Sequence, residues 1–224
     1  MELWKDFDLR LDVDDVLRGQ GADPETMRLR RPALVEAAGR ALAEGLPLIH
    51  PAVLVRELEV RGRRHERLRL QEGALSGPLV MRHLGSASRV AIAVSTIGPQ
   101  LEARCARVLQ EDPVLAVALD GLGNAAAEEL SQLACSRIAR RAQEAGLAAA
   151  TPISPGAPGW PVESGQPQIF RLLDARQAGI RVTSGGMMIP RKSMSFVVGI
   201  GTEMPEADPC EVCGLRETCR YRHA

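Results

Sequence analysis

Apolar residues recur at helical spacing through the middle of the chain: Leu115, Leu119, Leu122, Ala126, Leu130, Leu133 and Ile138 line up along about Val114 to Gln143. Compact apolar runs that suit buried strands lie on either side, RVAIAVS at 89–95 and SMSFVVGI at 193–200. Strands at both ends with a helical middle lack the regular alternation of a doubly wound parallel fold. The expected class is therefore α+β: a mixed or antiparallel twisted sheet packed with helices, with the Leu119, Leu122, Leu130 and Leu133 side of the long helix against it. Gly121 and Gly123 interrupt that helix. Each costs about 1 kcal/mol relative to alanine, which points to close packing or a nearby ligand.

The rest of the chain supplies further elements. A short helix is expected around Val13 to Leu17. Another opens at Pro32, a good first-turn residue, and closes at Gly45. Residues 52–60 and 66–70 mix apolar and charged positions and suggest a hairpin, with Gly62 between its strands. A helix follows Gly98-Pro99. Residues 151–167, rich in proline and glycine, suggest a loop. A helix from about Gln168 to Ala178 and a strand over 180–189 complete the pattern.

The chain has 224 residues, with 28 Lys+Arg balanced by 28 Asp+Glu. That length fits one domain with a small appendage, and the neutral balance argues against a nucleic-acid or membrane surface. Arg63, Arg64, Arg67 and Arg69 interleave with Glu57, Glu59 and Glu66, as on a solvated hairpin face. The N-terminus is charged from its second residue, unlike a secretory signal, and no apolar run is long enough for a membrane span. The five cysteines, an odd number, favour a reducing, cytoplasmic compartment over a disulfide framework. Cys105 and Cys135 sit in helical apolar patterns as small buried hydrophobes. The chain carries no phosphate-binding glycine loop, no dinucleotide fingerprint and no hydrolase or zinc-protease motif, and its four histidines are scattered.

Four segments in order carry a family resemblance: STIGPQLE at 95–102, LDGLGNAAAEEL at 119–130, SPGAPGWP at 154–161 and VTSGGMMIPRKSMSFVVGIG at 182–201. Together they resemble stand-alone relatives of the activation (reactivation) domain of cobalamin-dependent methionine synthase, over roughly residues 10 to 220. The resemblance implies binding of S-adenosylmethionine as methyl donor to a corrinoid that has fallen into an inactive oxidised state. It also implies an electron donor such as flavodoxin or ferredoxin. The chain has no methyltransferase barrel or cobalamin-carrying domain of its own. The cobalamin would then be carried by a partner, a corrinoid-binding protein or a methionine synthase lacking its own activation domain.

Carried over residue by residue, the family's helix glutamate matches Glu128, whose carboxylate suits the ligand's ammonium or ribose hydroxyls. An exposed helix carboxylate beside Glu129 is the plainer alternative. The family's approximate Arg-x-x-Pro-Gly-Tyr loop corresponds to Pro152-Ile153-Ser154-Pro155-Gly156-Ala157, which keeps Pro155 and Gly156 and lacks the arginine and tyrosine. Trp160 offers aromatic surface nearby. A ligand cleft is expected between the 154–161 loop and Glu128. Arg191 and Lys192, after Pro190, either face a phosphate or corrinoid side chain or form a solvated turn.

The last residues set the spacing Cys210-x-x-Cys213-x5-Cys219 with His223 following. A Cys-x-x-Cys pair lets two thiolates reach one ion from a tight turn, and a third cysteine makes a metal site the leading reading. With His223 the set suits zinc; the three cysteines alone suit an iron–sulfur cluster. The expected organisation is an activation-like domain over 1–204 and a cysteine-rich metal-binding tail over 205–224. Two functions follow. One is an accessory factor for reductive reactivation of a corrinoid protein. The other is a docking or redox module that relays electrons through the tail without S-adenosylmethionine.

Overall fold

The computed structural model describes residues 1–205. In chain order it contains β1 (Glu2–Trp4), α1 (Val13–Gly19), α2 (Pro24–Arg30), α3 (Pro32–Gly45), β2 (Ala52–Arg64), β3 (Arg67–Leu70), β4 (Ala74–Ser76), α4 (Pro78–Leu84), β5 (Arg89–Thr96), α5 (Gln100–Val108), α6 (Pro113–Glu144), β6 (Ala148–Ala149), α7 (Val162–Leu172), β7 (Arg181–Val182), β8 (Met188–Ile189) and β9 (Ser193–Gly201). The expected Cys210, Cys213, Cys219 and His223 centre lies outside the described residues.

β5 is buried at every position after Arg89, so it must be an interior strand covered on both faces. It pairs antiparallel with β2 (Val55 opposite Ala93) and with β9 (Ala93 opposite Phe196). The sheet order is β4-β3-β2-β5-β9-β6, with β1 on the free side of β2. Every pairing is antiparallel, which bears out the α+β class.

Alternation along these strands builds two cores. Val53, Val55, Ala91, Ala93, Phe196 and Val198 face α6, α3 and α1. Leu54, Val90, Ile92, Val94 and Val197 face α4, α7 and Trp160. The long helix starts at Asp112, whose carboxylate accepts the Leu115 N–H at 3.0 Å, with Pro113 in the first turn. Leu119, Leu122 and Leu130 are buried as expected, whereas Leu133 is half-buried, and Ala127 and Ala134 carry much of the contact. Gly121 answers to close packing: a Cβ there would lie 2.7 Å from the Val16 carbonyl oxygen of α1.

The structure corrects three local expectations. Gly62 is no turn; it lies at an irregularity within β2, and the hairpin reverses at His65-Glu66. The 151–167 loop ends early, because α7 begins at Val162 and contains Pro167. Both Pro167 and Glu163, one turn earlier, are exposed, so water can serve the carbonyl that the proline leaves unbonded. The expected strand at 180–189 is instead the β7–β8 hairpin. Gln168 of α7 covers the rim of β4, its amide accepting the Ser76 N–H at 2.6 Å and donating to the Ser76 carbonyl at 3.2 Å. No helix among the described residues is long and apolar enough to cross a membrane.

Candidate functional site

The outer edge of β9 is only partly paired. β6 covers Ile200 and Gly201, and Ile153 exchanges two hydrogen bonds with Val197 (2.9 and 3.0 Å). Strand alternation turns the Ser195 N–H and C=O toward this same outer edge, although the residue itself is buried. Two surfaces flank this edge, one on each face of the sheet.

On the first face stands α6. The Ser131 hydroxyl lies 3.2 Å from that of Ser95 on β5 and 3.1 Å from the Met194 sulfur on β9, so this part of the helix sits directly over the sheet end. Glu128 is one turn earlier, half-buried, its Oε1 accepting from Gln132 Nε2 at 3.0 Å. Its neighbour Glu129 has a carboxyl pushed up by burial and by Asp15. Further along, Cys135 has its thiol pushed up to about 12, chiefly by burial and then by the Glu128 charge.

On the second face lies the 154–160 loop. It is closed by Gly156 N–H to Trp160 O (2.8 Å), Ala157 N–H to Ser154 O and Trp160 N–H to Ala157 O. Gly156 has φ +102, a conformation that favours glycine. Pro155 stacks on Gly165 of α7, where a Cβ would meet the Pro155 ring at 2.9 Å. Trp160 is fully buried and its Nε1 has no hydrogen-bond partner. Its ring is core, enclosed by Gly77, Leu79 and Gly165, so the aromatic surface expected near the loop is turned inward. The Pro-Gly-aromatic order occurs at Pro158-Gly159-Trp160, three residues after the aligned Pro155 and Gly156.

Between α7 and the β7–β8 hairpin is a depression of about 260 Å³, lined by Gln166, Pro167, Phe170, Val182, Thr183, Ser184 and Gly186. Gln166 links it to β9, its Oε1 accepting the Ser195 hydroxyl at 2.7 Å. Sequence reasoning missed Gln166 because nothing in its local pattern distinguishes it from a surface glutamine; only the fold buries it.

Arg191 and Lys192 both have internal partners. Arg191 Nε meets Glu102 at 2.5 Å, and its backbone N–H donates to the same carboxylate at 3.0 Å. Lys192 is largely buried, with Nζ 2.8 Å from Asp120 and 2.6 Å from Asn124 Oδ1. Its stem lies across Gly123, where a Cβ would approach to 3.1 Å, so that glycine too answers to packing. The turn before β9 is thus held by two ion pairs, from α5 and α6. The described residues contain no cluster of three or more metal-ligating side chains.

Among solved structures, the chain is similar to one described as the MetH reactivation domain bound to AdoHcy, with a TM-score of 0.66 over 92% of this chain and 81% of that one. Identity is 12%, so the likeness establishes the fold, which this protein shares with a reactivation domain. No protein-family profile and no curated protein matches the chain.

Proposed function

We propose that this protein is an accessory factor for reductive reactivation of a corrinoid protein carried on a separate chain, to which it presents S-adenosylmethionine. The supporting observation is the shared fold with a domain solved with AdoHcy, the demethylated form of that ligand. S-adenosylmethionine supplies a methyl group on a sulfonium centre. The chain's own part is to hold and orient it at the outer edge of β9. Glu128 offers a half-buried carboxylate, fixed by Gln132, for an ammonium or ribose hydroxyls. The Ser195 N–H and C=O, on the outer edge of β9, would add one donor and one acceptor once the buried residue is reached by the ligand. With Arg191 and Lys192 committed to Glu102 and Asp120, the ligand's carboxylate falls to backbone donors near Ser154, Pro155 and Gly156. Trp160 supports this loop from beneath.

Titration calorimetry with S-adenosylmethionine and AdoHcy under reducing conditions tests the reading. Glu128→Ala should weaken binding by about 1–3 kcal/mol, the loss of a charge-assisted hydrogen bond. No binding by the wild-type chain would sink it.

A second reading keeps the corrinoid partner but not the methyl donor: a docking module that relays electrons from flavodoxin or ferredoxin through a metal centre at Cys210, Cys213 and Cys219. It is favoured by Pro152 and Ala157 standing where the family pattern has arginine and tyrosine. Anaerobic purification with metal analysis discriminates. Iron with visible charge-transfer absorption supports the relay. Zinc, with His223 as fourth ligand, makes the centre structural. Metal-free protein with titratable tail thiols eliminates it.

A further inference from the structure

We propose that the outer face of the β2–β3–β4 sheet docks an acidic surface of a partner protein. Leu68, Leu70 and Leu75 point inward and are buried. Strand alternation therefore turns Arg67 and Arg69 outward. Arg64 lies directly opposite Arg67, and Gly62 opposite Arg69. On the other side Ser76 is opposite Arg67 and Ala74 opposite Arg69. The face is three exposed arginines on a floor of small residues.

These arginines differ from their neighbours. Arg63 turns to the other side and donates to the Ala87 carbonyl at 2.7 Å. Arg61 pairs with Glu59, and Arg56 with Glu72. Among the described residues, Arg64, Arg67 and Arg69 have no ion-pair partner. Like charges directly opposite on a sheet are destabilising. Arg64 stands against Arg67, and Glu66 in the turn between them forms no ion pair with either, so carboxylates from outside can match this face. The guanidinium fork suits them, giving two parallel hydrogen bonds per pair. The small residues beneath let a partner's backbone approach closely. A nucleic acid fits less well, because among the described residues no large aromatic side chain is exposed for base stacking.

The test is fluorescence anisotropy of the full chain with a labelled decaglutamate peptide at low salt, with a thymidine decanucleotide as the competing chemistry. The wild type should bind the peptide, and Arg64→Glu/Arg67→Glu/Arg69→Glu should weaken it at least about tenfold. Arg30→Glu/Arg107→Glu/Arg140→Glu makes the same change in net charge at exposed helix sites and should shift it less than about twofold. The neutral triple Arg64→Gln/Arg67→Gln/Arg69→Gln, checked by circular dichroism, guards against a folding artefact and should also lose the peptide. Equal loss in both charge-reversed triples, retention by the glutamine triple, tighter binding of the oligonucleotide, or no peptide binding by the wild type would each overturn the proposal.

Discussion

Replacing glycine by alanine inside a helix normally stabilises, by about 1 kcal/mol, because alanine loses less backbone freedom on folding. This protein should invert that rule where α1 crosses α6. A Cβ on Gly19 would lie 2.1 Å from the Gly121 carbonyl oxygen and 2.9 Å from its carbon, both backbone atoms of a buried helix. Ordinary contact begins at 3.4 Å, so α1 would have to retreat by 3.4 − 2.1 = 1.3 Å. The oxygen belongs to a helix held at both ends and cannot yield as a side chain would. Overpacking of this kind costs about 1–3 kcal/mol, and a backbone obstacle puts Gly19→Ala near the top of that range. Gly39 of α3 is the internal reference: a Cβ there meets nothing within 4 Å. Gly39→Ala should therefore gain about 0.5–1 kcal/mol. Urea unfolding followed by far-ultraviolet circular dichroism measures both, and the slope should stay constant. In thermal melts each kcal/mol corresponds to about 2–4 °C. If both variants shift the midpoint in the same direction by similar amounts, the close crossing of α1 and α6 is refuted.

Three other outcomes are expected. Glu2, whose carboxylate takes Arg141 at 2.7 and 2.9 Å and the Trp4 indole N–H at 3.0 Å, has its pKa lowered from 4.5 to about 2, first by the Arg141 bond. A depressed acid adds stability that is present above its unfolded pKa and lost as pH falls through the folded one. Because the pair is exposed, Glu2→Gln should cost under about 1 kcal/mol at neutral pH, and in urea titrations the difference from wild type should close between about pH 4.5 and 2. Native Cys135 should react with a thiol reagent at pH 8 about a thousandfold more slowly than an ordinary thiol and become reactive on unfolding, as peptide mapping would show; prompt native labelling would contradict its burial. Asp120→Ala should cost about 1–3 kcal/mol by stranding the largely buried Lys192 cation, and adding Lys192→Met should recover part of it in the same urea titration.

The elements legible in the sequence are those whose signal is local. Pro32 and Gly45 bound α3 as expected, and the runs at 89–95 and 193–200 became β5 and β9 because a strand covered on both faces must be apolar throughout. The failures share a cause: the deciding contact is distant in sequence. Proline and glycine argued against a helix through 162–167, yet Gly165 is small because Pro155 and Trp160 press on it, and Pro167 is tolerated because it faces water. Gly62 suggested a turn, but the strand continues through it against β3. Met188 and Ile189 pair across to Arg181 and Val182, which local propensity for one longer strand could not foresee.

The same distinction governs the candidate site. Residue type and spacing singled out Glu128 and the Ser154-Pro155-Gly156 turn; the first stands on α6, which packs on one face of the sheet, and the second leads into Trp160, which packs on the other. Arg191 and Lys192 looked from sequence like free cations because their partners, Glu102 and Asp120, lie on helices about 70–90 residues earlier. Both pairs fix the turn that feeds β9, and Lys192 in particular is turned inward, while the Arg191 guanidinium keeps its outer N–H groups exposed. Trp160, expected to offer aromatic surface near the loop, is instead a buried support that anchors the loop against Gly77 and Gly165. The cations and the aromatic ring thus hold the frame, and the proposed ligand would meet Glu128, a half-buried carboxylate. A carboxylate favours a ligand with its own cation and hydroxyls over one presenting mainly phosphate.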